Sequence, residues 1–427
     1  MRVTVVGMGK IGLPLAVNFA QHDQRVIGLD TSESVVRQIN LGIEPFPGEK
    51  NLSEFLKKAV EEKKLMATSN YVEALSDAEV VVVCIPLIVD KEGNPDFTNI
   101  DNLASTIGKN IALGTLVCFE TTLPVGTTRK RFAKAIAEES KMEVGKDFFV
   151  AFSPERVLTG RIFSDLKKYP KLVGGVTEEC TRRGVEFYKN VIDFDQRDDL
   201  AKPNGVWPMK NSEAAEFAKI AETTFRDVNI GLANEFAIYA KQNSIDILEV
   251  IEAANSQPYS MIHTPGIAVG GHCIPVYPRF YIWDNPNSRI VLAAREQNLE
   301  MPNRAIREIK ESNGSIAGMK IGILGVTYRP GVKESAFSGA LDLLRLLKSE
   351  EVQVSGLDPF YDESELKSLG FSSETNLADV DGIIIHTAHP EFTSINFNEI
   401  SNLKFIYDGR RLILNHKNAT GYRYLSY

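Results

Sequence analysis

The 427-residue sequence lacks several features that mark particular classes of protein. Its four cysteines, Cys84, Cys118, Cys180 and Cys273, include no CxxC pair, so neither a disulfide framework nor a metal site is predicted. Basic residues are not in excess, and the formal net charge of −8 argues against a nucleic-acid partner. The chain has no run of about 18 apolar residues for a membrane span, and its first strand leaves no room for a signal peptide. We therefore expect a cytoplasmic protein with reduced cysteines.

What the sequence does contain is an alternation of buried-strand and helix patterns. Apolar, β-branched runs predict strands of a parallel sheet at Val3–Val6, Val26–Leu29, Val80–Ile85, Leu116–Glu120 and Phe148–Phe152. Similar runs recur in the last third of the chain, at Ile321–Val326, Val354–Asp358, Gly382–His386 and Phe405–Asp408. Between them, helical spacing predicts a long helix from about Lys210 to Asn243. The predicted fold class is α/β, with two Rossmann-like, doubly wound domains joined by this central helix.

A glycine-rich turn follows the first predicted strand and opens a helix. Gly7 permits the tight turn, Gly9 lets backbone approach a diphosphate, and Gly12 allows close helix packing. Asp30 ends the second strand about twenty residues further on, where a carboxylate can bind the adenosine ribose. The pattern predicts NAD rather than NADP, whose 2′-phosphate Asp30 would repel. The alternative is that the glycines merely build a turn and that Asp30 caps the next helix.

Cys273 follows two glycines, Gly270 and Gly271, and is a candidate nucleophile. Two adjacent glycines bring backbone close to whatever occupies the site, although an unpaired cysteine is often a structural residue. Lys219 lies within the Ala-rich face of the central helix, where a buried ammonium is costly unless it is used. A salt bridge to a neighbouring glutamate, Glu216 or Glu222, is the alternative. Glu155 ends the fifth strand, at the sheet edge where ligands bind, or serves as an ordinary acid at a helix N-terminus.

These segments together resemble the ordered motifs of the UDP-glucose/GDP-mannose dehydrogenase family. The motifs span almost the whole chain: Gly7-x-Gly9-x-x-Gly12-Leu-Pro, Thr121-Thr122-Leu-Pro-Val-Gly126-Thr, Ser153-Pro-Glu-Arg-Val157, Glu216-Phe-Ala-Lys219, Gly270-Gly-His-Cys273 and Met301-Pro302. The resemblance implies an NAD-binding domain over 1–205, a helical dimerisation domain over 206–312 and a UDP-binding domain over 313–427. It implies a homodimer that forms through the central helix.

The resemblance also implies a reaction. A sugar CH2OH becomes a carboxylate in two NAD-dependent hydride transfers, through a thiohemiacetal and a thioester on Cys273. Lys219 stabilises oxyanions, with Thr223 sharing that role, Thr122 positions water and Glu155 is the general base. The predicted cofactor-binding residues are Gly7, Gly9, Lys10, Ile11, Gly12, Asp30, Cys84, Pro86, Thr122 and Glu155. The predicted substrate-binding residues are Arg156, Val157, Lys219, Arg226, Gly270, His272, Tyr328, Arg329, Lys333 and Arg410.

Within the family, the residues around Arg156 and Arg226 resemble those of the branch that acts on UDP-N-acetylhexosamines. This resemblance favours UDP-N-acetylmannosamine as the substrate. UDP-N-acetylglucosamine and UDP-glucose remain alternatives. Arg226 lies two helical turns after Lys219 and could reach an active site or form a surface ion pair. Two departures bear on the mechanism, because Thr223 replaces the usual Asn and Tyr277 replaces the usual Asp. Leu87-Ile88 and Ala268 also depart from the family pattern, and these changes affect rate and cofactor geometry more than reaction class.

Two other functions compete with this interpretation. A β-hydroxyacid-type dehydrogenase has an NAD domain and an active-site lysine, but it would need neither Cys273 nor a second α/β domain. A nucleotide-sugar-binding regulator without turnover is suggested by Thr223 and Tyr277. The presence of Cys273, Lys219, Glu155 and Thr122 argues against it. Charges at Arg329 and Lys333 suit a diphosphate, although solvated loop charges are the alternative, and a turn is an adequate explanation for Arg410.

Overall fold

The computed structural model describes residues 1–90, 93–413 and 421–427. The chain forms two compact units, Met1–Glu222 and Thr223–Tyr427. Each unit is built on its own parallel or mostly parallel sheet. No helix of the described residues is both long enough and apolar enough to cross a membrane.

The first unit contains strands and helices in alternation. Its strands are β1 (Arg2–Val6), β2 (Arg25–Leu29), β3 (Leu65–Thr68), β4 (Val80–Val83), β5 (Ile88–Val89), β6 (Pro95–Asp96), β7 (Leu116–Phe119), β8 (Phe149–Phe152), β9 (Lys171–Gly175) and β10 (Val206–Pro208). Its helices are α1 (Gly12–Gln21), α2 (Glu33–Asn40), α3 (Leu52–Glu61), α4 (Tyr71–Leu75), α5 (Thr98–Asn110), α6 (Lys134–Ser140), α7 (Ile162–Lys168) and α8 (Glu178–Val191). A π-helical turn, Thr128–Ala133, precedes α6.

The main sheet of this unit has the order β10-β9-β8-β7-β4-β1-β2-β3. All five strands predicted in this part of the chain are confirmed, as β1, β2, β4, β7 and β8, and they pair in parallel. The order reverses at β1, which lies between β2 and β4, and ligands bind at such a switch point beyond the carboxyl ends of the strands. β9 is different, because it runs antiparallel to β8. Its first residues therefore lie at the carboxyl edge of the parallel strands.

Burial of apolar side chains on both faces holds this sheet in place. All four residues of β4 and of β7 are buried, as expected for a central parallel strand. On α1, Phe19 is fully buried and meets the ring of Phe187 edge to face at 5.4 Å. Each such side chain stabilises the fold by about 1.5–3 kcal/mol. The strands whose ends carry the loops are thus held in a packed core.

The second unit repeats this architecture on a smaller scale. Its strands are β11 (Lys320–Leu324), β12 (Gln353–Leu357), β13 (Gly382–Ile385), β14 (Phe405–Asp408) and β15 (Arg423–Ser426). They pair in parallel in the order β12-β11-β13-β14-β15. Its helices are α10 (Ile247–Asn255), α11 (Tyr277–Asp284), α12 (Arg289–Asn313), α13 (Gly339–Ser349) and α14 (Glu363–Ser368), with 3-10 turns at Leu377–Asp379, Pro390–Ser394 and Phe397–Glu399. The four strands predicted here are confirmed as β11 to β14.

The predicted long helix is confirmed as α9 (Ser212–Gln242), which has 31 residues and contributes to both units. Its start is fixed by Asn211, whose side-chain Oδ1 accepts a hydrogen bond from the Ala214 amide at 2.9 Å. Such a cap satisfies one of the amides that a helix N-terminus leaves without a partner. The sequence prediction therefore placed this helix within two residues at each end.

Candidate active site

The glycine turn after β1 has the geometry that a dinucleotide requires. Gly7 has φ +89°, which favours glycine, and a Cβ on Gly12 would lie 1.9 Å from the Gly7 carbonyl oxygen. A Cβ on Gly9 would meet nothing within 4 Å. Gly7 and Gly12 are thus needed for the turn and its packing, while the backbone at Gly9 is open to a ligand. α1 begins at Gly12, so its amide groups point towards this loop.

Asp30 follows β2 and lies beside the same loop. Its Oδ2 accepts a hydrogen bond from the Met8 amide at 2.8 Å, and its Oδ1 accepts one from the Ser32 amide at 2.9 Å. The cap of α2 is Ser32, whose side chain accepts from the Val35 amide, so Asp30 is not a helix cap. The carboxylate is partly exposed. Loop and carboxylate together fit an NAD molecule.

The other predicted cofactor residues surround this loop. Cys84 follows β4, its amide donates to the Val6 carbonyl at 2.8 Å, and burial raises the pKa of its thiol. Pro86 is exposed two residues further on, as is Lys10 in the glycine turn, and Ile11 is half-buried. These residues therefore line the switch point between β1 and β4.

Thr122 is buried in the loop after β7. The loop turns at Gly126, with φ +86°, and is tied to α9 by Glu216. Glu216 accepts hydrogen bonds from the amides of Gly126 and Thr128, and burial raises the pKa of its carboxyl to about 7. Glu216 thus holds the Thr122 loop against the central helix, and sequence reasoning had offered it only as a partner of Lys219.

Glu155 lies in the irregular segment between β8 and α7, so it is not at a helix N-terminus. Its Oε1 accepts hydrogen bonds from the amides of Arg156 and Val157, at 2.6 and 3.2 Å, and its Oε2 accepts one from Lys171 Nζ at 2.9 Å. Burial alone would raise the pKa of Glu155, but the charge and hydrogen bond of Lys171, together with hydrogen bonds to the Arg156 amide and to Glu120, outweigh burial, so the pKa is lowered. The side chain is thus held as a fixed carboxylate.

Lys219 is buried on α9 and linked to the Glu155 segment. Its Nζ lies 3.2 Å from Glu222 Oε1, and Glu222 Oε2 accepts a hydrogen bond from Arg156 Nε at 2.9 Å. The salt bridge to Glu222 is therefore present, and it belongs to a chain that runs from Lys219 to Arg156. This chain links Lys219 to the residue that follows Glu155. Sequence reasoning named Glu222 only as an alternative partner, although an acid three residues after a buried lysine is its natural neighbour.

In the second unit, Cys273 is half-buried in the irregular segment between α10 and α11, and its thiol forms no disulfide. Two guanidinium groups fix the backbone that follows it. Arg279 Nε donates to the Pro275 carbonyl at 3.1 Å, and Arg295 Nη1 donates to the Ile274 carbonyl at 3.2 Å. Arg295 is in turn paired with the buried Asp227 at 3.1 Å. It was not predicted from the sequence that these side chains hold the backbone after Cys273. The signal that could have indicated it is a charged residue on the buried face of each helix, Asp227 on α9 and Arg295 on α12.

The glycines before Cys273 pack against Tyr328. A Cβ on Gly270 would lie 2.7 Å from the Tyr328 Cβ, and a Cβ on Gly271, with φ +95°, would lie 2.9 Å from its ring. The close approach that the two glycines predict is therefore made, at least in part, by Tyr328 of the protein itself. His272 is exposed, and its Nε2 lies 3.7 Å from Glu334 Oε2.

The cationic side chains that were predicted to bind the diphosphate differ in their contacts. Arg329 Nε donates to the Tyr328 hydroxyl at 3.1 Å, and Lys333 forms an exposed ion pair with Glu365. Arg410 donates to the carbonyls of His386 and Ala268, at 2.7 and 3.0 Å. It therefore joins the end of β13 to the segment before Cys273.

The remaining residues discussed in the sequence analysis lie on two helices of the second unit. Thr223 is fully buried on α9, and Arg226 is half-buried near His263. Burial, and after it the charge of Arg226, lower the pKa of His263. Tyr277, which replaces the usual Asp, is the first residue of α11, and its ring centroid lies 5.8 Å from that of Phe280.

Comparisons with known proteins identify the family to which the chain belongs. Family models match the UDP-glucose/GDP-mannose dehydrogenase NAD-binding domain over residues 1–192, the central domain over 213–313 and the UDP-binding domain over 322–415. The UDP-N-acetyl-D-mannosamine dehydrogenase of Pyrococcus horikoshii is 34% identical over 97% of this chain and 96% of the relative. The enzyme of that name from Escherichia coli K12 is 33% identical over 93% of this chain and 96% of its own.

A solved structure of the UDP-D-ManNAc dehydrogenase from Pyrococcus horikoshii has a TM-score of 0.88 and 32% identity, and the match covers 100% of this chain and 99% of the other. The structural match therefore includes both Rossmann-like sheets of this chain. The glycine loop and Asp30 lie within the matched NAD-binding domain, and Lys219 and Cys273 within the matched central domain. The chain belongs to the UDP-glucose/GDP-mannose dehydrogenase family and is an NAD-dependent oxidoreductase.

Proposed function

We propose that this protein oxidises the C6 hydroxymethyl group of UDP-N-acetyl-D-mannosamine to a carboxylate. The assignment of the substrate is supported by the name that the relatives from Pyrococcus horikoshii and Escherichia coli share. Each relative is 33–34% identical to this protein over more than nine-tenths of the chain. UDP-N-acetylglucosamine differs from this substrate in its configuration at C2, and UDP-glucose also lacks the acetamido group. They are the competing substrates in the test below.

The chemistry is a four-electron oxidation in which the two hydrides leave C6 one after the other. NAD, when bound, accepts each hydride. After the first transfer, the thiol of Cys273 adds to the aldehyde carbon, which gives a thiohemiacetal on the protein. Loss of the second hydride from that carbon gives a thioester. Water then cleaves the thioester, which releases the carboxylate and returns the thiol.

The remaining roles follow from where charge develops in these steps. Lys219, with Thr223, stabilises the oxyanion that forms when sulfur or water adds to the carbon. Thr122 positions the water, and Glu155 accepts its proton. The support for Glu155 is its ionised, fixed carboxylate, and the support for Lys219 is its burial together with its link through Glu222 to the Glu155 segment.

Substrate and cofactor contacts are proposed for the remaining predicted residues. The glycine loop and Asp30 hold NAD, with Lys10, Ile11, Cys84 and Pro86 around it. The sugar is bound by Arg156, Val157, Arg226, His272 and Gly270, and the diphosphate by Tyr328, Arg329, Lys333 and Arg410. In functional terms we propose an NAD-binding domain over 1–205, a dimerisation domain over 206–312 and a UDP-binding domain over 313–427. We place the protein in the cytoplasm, because a reducing compartment keeps Cys273 available as a thiol.

We also propose that two copies associate through α9. Four of its apolar side chains, each 40–64% exposed, repeat along one face of the helix: Phe225, Leu232, Phe236 and Tyr239. Contact with the same face of a second copy would bury them. We expect sedimentation velocity to give twice the mass of one chain and Phe236→Glu to give single chains. A single-chain species for the unmodified protein at micromolar concentration would rule the dimer out.

The function is tested by NADH absorbance with a panel of three sugars. We expect UDP-N-acetylmannosamine to be preferred over UDP-N-acetylglucosamine and UDP-glucose by roughly tenfold or more in kcat/KM, the scale of a single-group difference in a binding pocket. We also expect NAD to be used in preference to NADP because of Asp30. Equal rates with all three sugars would remove the substrate assignment, and no NADH with any of them would remove the function.

A further inference from the structure

Three polar side chains lie buried behind Glu155 and have no role in the reaction described so far. Glu120 follows β7, Lys171 is the first residue of β9, and Tyr188 lies on α8. The side chains of Glu120 and Lys171 are 1% and 5% exposed, and Tyr188 is fully buried. Buried ionisable groups of this kind are rare unless they are paired.

Their hydrogen bonds form one connected group that includes Glu155. Lys171 Nζ donates to Glu120 Oε2 at 2.7 Å and to Glu155 Oε2 at 2.9 Å. The Tyr188 hydroxyl donates to Glu120 Oε1 at 2.6 Å, and Lys171 Nζ lies 4.9 Å from the centre of the Tyr188 ring. One ammonium is therefore shared between two carboxyl groups. Glu155 is also held at its other oxygen by two backbone amides.

The charges of this group are unequal, with two carboxyl groups against one ammonium. Burial raises the pKa of Glu120 to about 7, although Lys171 opposes that change. Burial would raise the pKa of Glu155, but the charge and hydrogen bond of Lys171, with hydrogen bonds to the Arg156 amide and to Glu120, outweigh burial and lower it. Burial would lower the pKa of Lys171, but its two carboxyl partners outweigh that effect and raise it. Near neutral pH, the ammonium therefore keeps Glu155 ionised, and Glu120 is the carboxyl that titrates.

Other titratable groups near the cluster do not compete for Lys171. Burial raises the pKa of the Cys84 thiol at the end of β4 and of the Cys118 thiol on β7, so both stay neutral. Burial also raises the pKa of Tyr188. Arg156, which follows Glu155, directs its guanidinium to Glu222 and to the Pro170 carbonyl.

We propose that Lys171 and Glu120 are positioning residues that keep Glu155 ionised and oriented for activation of water. The proposal rests on the proposed function, in which Glu155 accepts a proton from water while the hydroxide oxygen adds to the thioester carbon. When Glu155 becomes neutral in that step at a pH where Glu120 is ionised, Lys171 remains paired with the carboxylate of Glu120. The buried group then passes from one surplus negative charge to none, and no ion is left without a partner.

The position of Lys171 favours this role over simple stabilisation. Buried ion pairs are weak evidence for stability, because well-packed apolar residues often serve as well. Lys171 reaches Glu155 because β9 runs antiparallel to β8, which brings the start of β9 to the carboxyl edge of the sheet. A charged group at the ligand-binding edge, in contact with the predicted base, is placed to act on that base.

The test uses two substitutions that should move the acid limb of the kcat pH profile in opposite directions. Glu120→Gln keeps the shape and leaves Lys171 to Glu155 alone, so we expect the limb to move to lower pH. Lys171→Met removes the ammonium, so we expect the limb to move to higher pH by about one unit or more. Lys171→Arg should restore the limb towards its original position. KM for NAD and for the UDP sugar should stay within about twofold in each variant.

A purely structural role would lower the melting temperature and leave the acid limb in place, and that result would overturn the proposal. So would a shift of both variants in the same direction. If Lys171→Met does not fold, Glu120→Gln decides, since an unchanged limb in that variant is enough to reject the proposal. If the unmodified protein oxidises no UDP sugar, the proposed function fails separately. The pKa of Glu155 can then be read from an infrared titration of its carboxyl band, assigned with Glu155→Gln, and the same opposite shifts are required.

Discussion

Replacement of Cys273 by serine is expected to lower steady-state turnover by at least about two orders of magnitude. The substitution keeps the approximate shape of the side chain, and the backbone that follows it is held by Arg279 and Arg295. A serine hydroxyl has a far higher pKa than a thiol, so covalent capture of the aldehyde should fail. Binding of NAD and of the nucleotide sugar should persist, because neither needs the sulfur. The measurement is steady-state NADH formation together with binding of both ligands.

The matched control is Cys180→Ala, a substitution of a fully buried cysteine on α8. It should reduce stability through lost packing and leave kcat within about twofold. If Cys273→Ser instead makes the acid product at the parent rate, Cys273 is structural. The mechanism would then have to proceed through a hydrated aldehyde with Glu155 activating the water.

Lys219→Met is expected to lower kcat roughly 100- to 1000-fold, the range seen when one donor to an oxyanion is removed. Methionine keeps much of the length of the side chain in a buried position on α9 but has no donor. Glu222 keeps its contact with Arg156, so the Glu155 segment should remain in place. Because the donor acts on charge that develops during the reaction, kcat should fall more than KM rises.

Lys241→Met is the matched control, since Lys241 lies on the same helix and also pairs with a glutamate, Glu308, at 2.7 Å. It should change kcat by less than about twofold, because a partly exposed ion pair contributes little. A Lys219→Met variant with parental kcat and reduced melting temperature would show that the lysine only serves the salt bridge to Glu222.

Much of the fold could be predicted because its strands are apolar runs bounded by glycine and polar residues. β4, with four consecutive valines, and the glycine turn at Gly7 have few alternative structures. β9 was missed, because Lys171-Leu-Val-Gly-Gly begins with a charge and ends with two glycines that are uncommon in strands. The cluster of Lys171, Glu120 and Tyr188 was missed with it. An antiparallel strand at this edge is a tertiary feature that local pattern does not encode.

The candidate site was predicted in part for a similar reason. Cys273, Lys219 and Glu155 stood out because each is a reactive type in an unusual context. What fills the space beside them depends on distant segments. Gly270 indicates a close approach of some group, but only the structure identifies Tyr328 as that group. Arg410 is a cation after a strand in the sequence, and the structure shows that it bridges two backbone carbonyls.

The central claim is that one active site carries an aldehyde equivalent from the first oxidation to the second without releasing it. The direct measurement is the number of NADH molecules formed per molecule of UDP-N-acetylmannosamine consumed to completion, with the product identified by mass. We predict two NADH per sugar and a uronic acid as the product. One NADH per sugar, with free aldehyde accumulating in solution, would contradict the thioester on Cys273.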